Sequence, residues 1–319
     1  MITETDVLRL AQSHFPDNTI SWIEDLGTWV RHNFRVHFSD RKAVVYKFNV
    51  NSDWIDSSVH EYRVTEILEK NGLPISPVLV VDDSMQEIGH AFIVVEQGPG
   101  ERLDRLMRLK PDDEIKAMYR GIGQFYRRLH AIQGKESGVW VNDPEQLIDV
   151  SPTDYLFENE IVGGSGAALA SKGILNKLVH QRIVDVWQAN LAYLKNHKPV
   201  MVHGSPFPWT IYLEKQGLDW QVTRITGLGD AFWWDPAYDL TFLIEPPFTF
   251  MFDQWRIAFL QGYGVKPEVR RLMLYRLLQI LCAVNNVYMQ PRIEQSETWK
   301  QSALHAIPGL LKSLETTLK

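Results

Sequence analysis

An α+β architecture of two lobes, the first strand-rich and the second mostly helical, is what the apolar patterning of this chain predicts. Three observations carry that expectation. The 319 residues exceed what a single core usually fills, so two lobes of roughly 100–200 residues each are expected. The spacing of apolar residues changes from two to three or four near Gly98-Pro99-Gly100, where two glycines and a proline break helix and strand alike. Apolar residues make up 45% of the chain and charged residues 23%, which supplies a sizeable core without the composition of a disordered segment. The boundary expected from these signals divides the chain into 1–97 and 98–319.

Each element has its own signal. Val7, Leu8, Leu10 and Ala11 share one side of a helix over 5–14. Phe34, Val36 and Phe38 alternate with polar residues, Ser39-Asp40-Arg41 turns the chain, and an apolar run over 43–48 completes a hairpin. Ser57 or Ser58 caps a helix reaching about 71, with Val59, Tyr62, Ile67 and Leu68 on one face and Gly72 past its end. Strands follow over 78–81 and 91–96. Helical spacing then dominates, over 112–132, 174–196, 255–262, 268–289 and 294–317. Short apolar pieces at 200–202, 211–213 and 222–228 predict a small strand cluster inside the helical part. The run Gly163–Gly166 with Ala167–Ala170 predicts a flexible small-residue connection.

Charge and composition exclude some functions. The 33 basic and 39 acidic side chains give a net charge of −6, and no dense Lys/Arg run offers a counter-ion stripe, so nucleic-acid binding is disfavoured. The one cysteine, Cys282, lies in an apolar helical stretch and is read as a small buried hydrophobe. The first residues lack a basic start with an apolar core, and no apolar run of membrane-spanning length is present. No membrane partner and a cytoplasmic location are therefore expected. The oligomeric state cannot be read from these signals.

Lys47 stands inside an apolar strand and Glu61 on the helix after it. A lysine there either occupies the solvent face of a half-buried strand or reaches an anion, and Glu61 is the partner at hand. Two later segments bear on that choice. One reads His203-Gly204-Ser205-Pro206-Phe207-Pro208-Trp209-Thr210, the other Gly229-Asp230-Ala231-Phe232-Trp233-Trp234-Asp235-Pro236-Ala237-Tyr238-Asp239-Leu240.

With these residues in order, the chain resembles the small-molecule kinases of the aminoglycoside phosphotransferase and choline kinase type, which share the protein-kinase-like fold. The most specific part of the resemblance is Asp235-Pro236-Ala237-Tyr238-Asp239-Leu240. It implies a nucleotide-binding first lobe and transfer of a phosphoryl group from ATP or GTP, with Mg²⁺, to a hydroxyl of a small molecule. In that family pattern Lys47 matches the phosphate lysine and Glu61 its helix partner. Val95, Glu96 and Gln97 fall on the strand end whose backbone meets the base. His203 matches the loop histidine, Asp230 the metal-binding aspartate, and Asp239 the aspartate that pins the loop, with Asp235 a structural neighbour. Phosphoryl transfer needs such positioning and charge neutralisation more than covalent chemistry.

The sequence departs from the pattern at two reacting positions. Ser205 stands at the proton-accepting aspartate, and Thr210 at the metal-ligating asparagine. A serine hydroxyl takes no proton near neutral pH, which removes assistance worth roughly 10²–10⁴ in rate. A threonine hydroxyl still ligates Mg²⁺ in some nucleotide sites. The segment from Asp230 to Asp235 is also shorter than the family's, and Gly27 is the one glycine in 25–32. The aromatic residues Phe207, Trp209, Phe232, Trp233, Trp234 and Tyr238 form either a stacking surface for a ligand or ordinary packing. Asp143, Asp149, Asp154 and Glu158 either attract a cationic substrate or form a solvated face. Two functions stay open: an enzyme with an altered or slow kinase site, and a pseudokinase that binds a nucleotide or small ligand.

Overall fold

The structure is a computed structural model and describes residues 2–28, 31–50, 58–138, 151–245, 251–289 and 297–316. Its described residues form two compact units that are not contiguous in sequence. The first gathers residues up to 121 together with 208–231; the second gathers 122–138, 151–207 and 232–316.

In the first unit, helix α1 (Glu4–His14) begins at Thr3, whose side chain accepts from the Asp6 N–H while Asp6 accepts from the Thr3 N–H. This reciprocal cap satisfies two otherwise orphan donors. Strands β1 (Ile20–Thr28), β2 (Arg31–Phe38), β3 (Val44–Asn49), β4 (Val78–Asp82) and β5 (Phe92–Glu96) form one antiparallel sheet in the order β1-β2-β3-β5-β4. Helix α2 (Ser58–Lys70) links β3 to β4. Strand side chains alternate between the two faces. One face buries Phe34, Val36, Val44, Tyr46, Phe48, Phe92 and Val94 against Val7, Leu10 and Ala11 of α1. Residues paired across neighbouring strands share a face. Arg31 lies opposite Asn49, Asn33 opposite Lys47, Arg35 opposite Val45, and Lys47 and Val45 opposite Ile93 and Val95. Lys47 thus belongs to the face without α1.

The same unit holds a second sheet of β6 (Glu101–Arg102), β8 (Ile211–Gln216) and β9 (Asp219–Ile225), in the order β6-β8-β9. Helix α3 (Leu103–Leu109) follows β6, and α4 (Asp112–Leu129) starts in the first unit and ends in the second. A 3₁₀ turn, Leu228–Asp230, follows β9.

The second unit is built from α5 (Pro152–Leu156), a π-helical turn (Phe157–Val162), α6 (Ser165–Ser171), α7 (Lys177–Lys195), α8 (Pro236–Ile244), α9 (Asp253–Tyr263), α10 (Val269–Met289) and α11 (Glu297–Thr316). A two-stranded ladder pairs β7 (Val200–Val202) with β10 (Phe232–Trp234). Its core centres on Trp187, Trp234, Leu274, Tyr275, Leu278 and Leu281.

The α+β class and the sequence of major elements follow the patterning. Four differences have physical causes. Strand β1 carries irregularities between Ile20 and Trp22 and between Asp25 and Gly27, which break the alternation that would announce it. Short β10 is too brief for any periodicity, and α8 is buried on nearly every side, so it lacks an amphipathic stripe. The stretch expected as a flexible connection is helical. A Cβ on Gly164 would lie 2.0 Å from the Asn159 carbonyl oxygen and one on Gly166 2.3 Å from that of Ile161, so the small residues serve close backbone packing. Of the sequence-read positions, Ser57, Asp143, Asp149, 294–296 and 317 lie outside the described residues.

Gly121 tests the packing of α4. Alanine in a helix interior normally gains about 1 kcal/mol over glycine. Here a Cβ would stand 2.1 Å from the Trp220 carbonyl oxygen, so Gly121→Ala is expected to lose about 1–3 kcal/mol, as overpacking does. Urea unfolding of the two proteins measures the sign.

Candidate active site and family

In the first unit, the Lys47 Nζ lies 2.5 Å from Glu61 Oε1. The second carboxylate oxygen, Oε2, accepts from Arg31 Nη1. The Glu61 side chain is 4% exposed, against 13% for Lys47 and 9% for Arg31. Burial pushes the Glu61 carboxyl upward, but the Lys47 ammonium and Arg31 guanidinium outweigh it and hold its pKa at about 2. One carboxylate thus answers two cations. Sequence reading missed Arg31, because the alternation Arg31, Asn33, Arg35 looks like a solvated strand face. The usable signal was register: Asn33 pairs with Lys47, so Arg31 shares its face.

His60, beside Glu61 on α2, is buried, and its Nε2 donates to the Ala231 carbonyl at 2.7 Å. Burial lowers the His60 pKa, against the raising effects of that hydrogen bond, Glu61 and Asp230, so the neutral ring with Nε2 protonated is favoured. Helix α2 therefore fixes both Glu61 and the chain just past Asp230. Asp230 itself is exposed, at the end of the 3₁₀ turn. Thr210 is buried, and its carbonyl accepts from the Thr226 N–H at 2.9 Å.

At the strand end expected to meet a base, Val95 pairs with Val45 on one side and Val78 on the other. The Glu96 N–H donates to the Pro77 carbonyl at 2.9 Å and the Gln97 N–H to the Ala43 carbonyl at 2.8 Å. Both donors are spent within the first unit. Gly27 has φ +83° and donates to Asp25 Oδ1 at 2.7 Å, a turn that favours glycine.

In the second unit, β7 leads into His203, Gly204 and Ser205. Asp239, fully buried, accepts from the His203 N–H at 2.7 Å and the Gly204 N–H at 3.0 Å. His130 Nε2 lies 3.2 Å from Asp239 Oδ2 and its Nδ1 3.0 Å from the Tyr263 hydroxyl. Gly204 has φ +83°, so glycine relieves the left-handed turn in front of Ser205. Ser205 is partly exposed, and its carbonyl accepts from the Phe207 N–H at 2.8 Å.

Asp235 caps α8 through the Ala237 N–H at 2.9 Å, while its other oxygen takes the Arg271 guanidinium at 2.6 Å and the Tyr275 hydroxyl at 3.0 Å. Arg271 also donates to the carbonyls of Tyr193, Leu194 and Asn196. It joins α7, α8 and α10, and sequence reading missed it because Arg270-Arg271 looks like a solvated pair.

The aromatic residues of this segment pack on one another. Trp234 meets Tyr238 at 4.9 Å and Tyr275 at 4.9 Å between ring centroids, and Phe207 meets Phe242 at 5.3 Å. Asp154 pairs with Lys195 at 2.7 Å. Burial pushes the Cys282 thiol pKa up, which keeps it inert as a nucleophile.

Two measurements check this electrostatic picture. Asp239→Ala strands two buried backbone donors, at roughly 1–3 kcal/mol each, whereas exposed Asp230→Ala should stay within about 0.5 kcal/mol of the parent; equal unfolding midpoints would show the carboxylates to be equivalent. For Glu61, the folded pKa of about 2 lies below the ordinary 4.5. Its contribution is therefore complete above about pH 4.5 and is lost as pH falls toward 2. Glu61→Gln is expected to remove a stability increment of about 3 kcal/mol from this acid limb, read by denaturant unfolding at a series of pH values.

Comparison places these features in a family. A family model described as the phosphotransferase enzyme family matches residues 23–275. Solved structures share the fold. The wild-type aminoglycoside 2'-phosphotransferase-IIIa in its GDP complex aligns with a TM-score of 0.65 at 16% identity, over 98% of this chain and 99% of that one. A thermostable mutant of aminoglycoside phosphotransferase APH(4)-Ia, in a ternary complex with AMP-PNP and hygromycin B, aligns at 0.68 and 14%, over 97% and 98%. A protein from Thermobifida fusca described as a fructosamine-3-kinase aligns at 0.62 and 15%, over 96% and 99%. No curated protein sequence matches the chain, and no helix among the described residues is long and apolar enough to cross a membrane. With a mixed α/β fold like that of the aminoglycoside phosphotransferases and a family match over most of its length, the chain belongs to the phosphotransferase enzyme family.

Proposed function

We propose that this chain is a phosphotransferase fold that acts by binding a small anionic ligand, a pseudokinase in function. The observation that carries the reading is the contrast at the loop after β7. Its scaffold is complete, with Asp239 accepting from His203 and Gly204, yet the side chain presented after Gly204 is the Ser205 hydroxyl. A hydroxyl is no proton acceptor near neutral pH, so the general-base step lacks its group.

The residues expected to hold Mg²⁺ support the same reading. Such an ion takes a near-octahedral oxygen shell with one or two carboxylates besides phosphate. Asp230 sits exposed at the end of the 3₁₀ turn after β9. Thr210 adds one hydroxyl. Among the described residues no group of three or more His, Cys, Asp or Glu side chains is arranged for a metal. One exposed carboxylate and one hydroxyl are a sparse donor set for the metal of phosphoryl transfer, which leaves most of the shell to phosphate and water.

The Lys47 ammonium and the Arg31 guanidinium beside Glu61 offer charged donors that suit a phosphate or carboxylate. That the related structures carry GDP or AMP-PNP supports a ligand of nucleotide size for this fold. A second reading, slow transfer from ATP or GTP, is favoured by the short Lys47–Glu61 contact.

Turnover separates the two. With MgATP or MgGTP the parent chain is expected to show no phosphate release above background, far below the roughly 1–100 per second typical of kinases. Ser205→Asp combined with Thr210→Asn is expected to stay inert as well, because Asp230 is left where it is. A gain of about 10²-fold or more in that double variant, the lower end of general-base effects, would establish the slow-enzyme reading.

A further inference from the structure

Arg224 lies in the middle of β9 and is 6% exposed. A guanidinium stays charged in proteins, and a buried charge is costly unless it is paired and hydrogen-bonded. Among the described residues Arg224 has no hydrogen bond and no acidic partner, and its Nε is buried without an acceptor. The guanidinium rests on the Tyr212 ring, 3.8 Å from the centroid. Its charged neighbour is Arg35, of the same sign. Burial lowers the Arg224 pKa, and Arg35 adds to that effect against Tyr212.

The place of this cation in the first unit gives it meaning. A Cβ on Gly98 would lie 3.2 Å from Arg224 Cδ and 3.3 Å from Ser76 Oγ. Next to it the Thr223 hydroxyl donates to the Pro99 carbonyl at 2.9 Å. Strand β9 is thus held against the chain just past β5, where the family resemblance places the edge of a nucleotide base. The Ser76 hydroxyl, a donor, is also buried without a hydrogen-bond partner. Gly98, which packs on Arg224 and Ser76, also lines an open recess of roughly 470 Å³ together with His37, Lys42, Ala43, Gln97 and Pro99. The other cations here are balanced: Arg35 reaches Glu24 at 2.8 Å and Lys42 reaches Glu96 at 2.8 Å. Arg224 is the unbalanced one among these.

We propose that Arg224, with Ser76 beside it, forms an oxyanion-binding site at the end of β5, so that the ligand of this chain carries a carboxylate or phosphate there in place of an adenine edge. A guanidinium offers its donors in a planar fork matched to such a group, and charge-assisted hydrogen bonds of this kind are roughly twice as strong as neutral ones. Adenine presents an amino donor next to its ring acceptor, so it satisfies a cationic fork poorly. The Lys47, Arg31 and Glu61 group lies further along the same sheet face, at the Arg31–Asn49 end of β2 and β3, whereas Arg35 pairs with Val45 towards the other end.

The test uses the full chain with inorganic phosphate and succinate as separate probes, each followed by calorimetry and thermal unfolding. Binding of either probe is expected, and the probe that binds tells phosphate from carboxylate chemistry. Arg224→Met, which keeps an unbranched apolar stem, is expected to weaken binding by about tenfold or more, the scale of one charged hydrogen bond. Arg224→Lys should recover part of the loss. Without ligand, Arg224→Met is expected to unfold at a temperature equal to or above the parent's, because it removes an uncompensated buried charge.

Loss of binding in Lys47→Met with retention in Arg224→Met would overturn the proposal by placing the anion at the other cationic group. Absence of any shift or heat with both probes in the parent would overturn it too, and so would a ligand-free Arg224→Met protein that melts well below the parent. Phosphate release from MgATP by the parent would refute the pseudokinase reading and leave these binding comparisons as they stand.

Discussion

A single buried carboxylate, Glu61, answers two cations, and the first unit is arranged around that contact. Lys47 comes from β3 and Arg31 from β2, so one residue of α2 fixes the helix against two neighbouring strands. Its neighbour His60 faces another way and holds Ala231. Because successive residues on a helix point about 100° apart, one turn of α2 sets the cationic group and the chain after Asp230 together. Removing either cation would leave Glu61 with a partner, whereas removing Glu61 would take the carboxylate from both cations at once, the costlier defect.

The second unit solves a similar problem with two aspartates of the same helix. Asp235 satisfies the first turn of α8 and the Arg271 guanidinium, which in turn collects carbonyls from the end of α7. One turn later Asp239 satisfies two N–H groups at the end of β7. The Asp235-Pro236-Ala237-Tyr238-Asp239-Leu240 segment is thus a folding device as much as a signature of chemistry. Its residues are buried and each has several partners, so a substitution there costs stability whether or not any reaction takes place.

Much of this was legible in the sequence, for reasons that differ from residue to residue. Lys47 announced itself as a charge inside an apolar strand, and Glu61 lay on the adjoining helix. Arg224 gave the same signal, a charge between Val222 and Ile225, but the short apolar pieces around it had been read only as a strand cluster. Arg271 was illegible because a helix carries basic residues on its solvent side more often than not, and only the carbonyls at the end of α7 show that it faces inward. The irregular β1 hid for a different reason, since its bulges shift the register that alternation would need. Gly164 and Gly166 misled because a glycine that permits close packing and one that permits motion are the same letter.

The buried and the exposed parts of the site bear on function in different ways. Asp239, Asp235, Glu61 and His130 are held by burial and multiple hydrogen bonds, so their presence follows from the fold and says little about turnover. Ser205 is partly exposed and Asp230 exposed, and side chains at such positions change at small cost to stability, so their identities report on chemistry. Those identities are a hydroxyl where a base is needed and a lone carboxylate. Against this stand the positive charges of the first unit, kept out of water in a chain whose net charge is −6. A protein that only needed to fold would gain by replacing Arg224 with an apolar side chain of similar size. The charge is intelligible if something anionic meets it, and this is why the function of the chain is better sought in what it binds than in what it transfers.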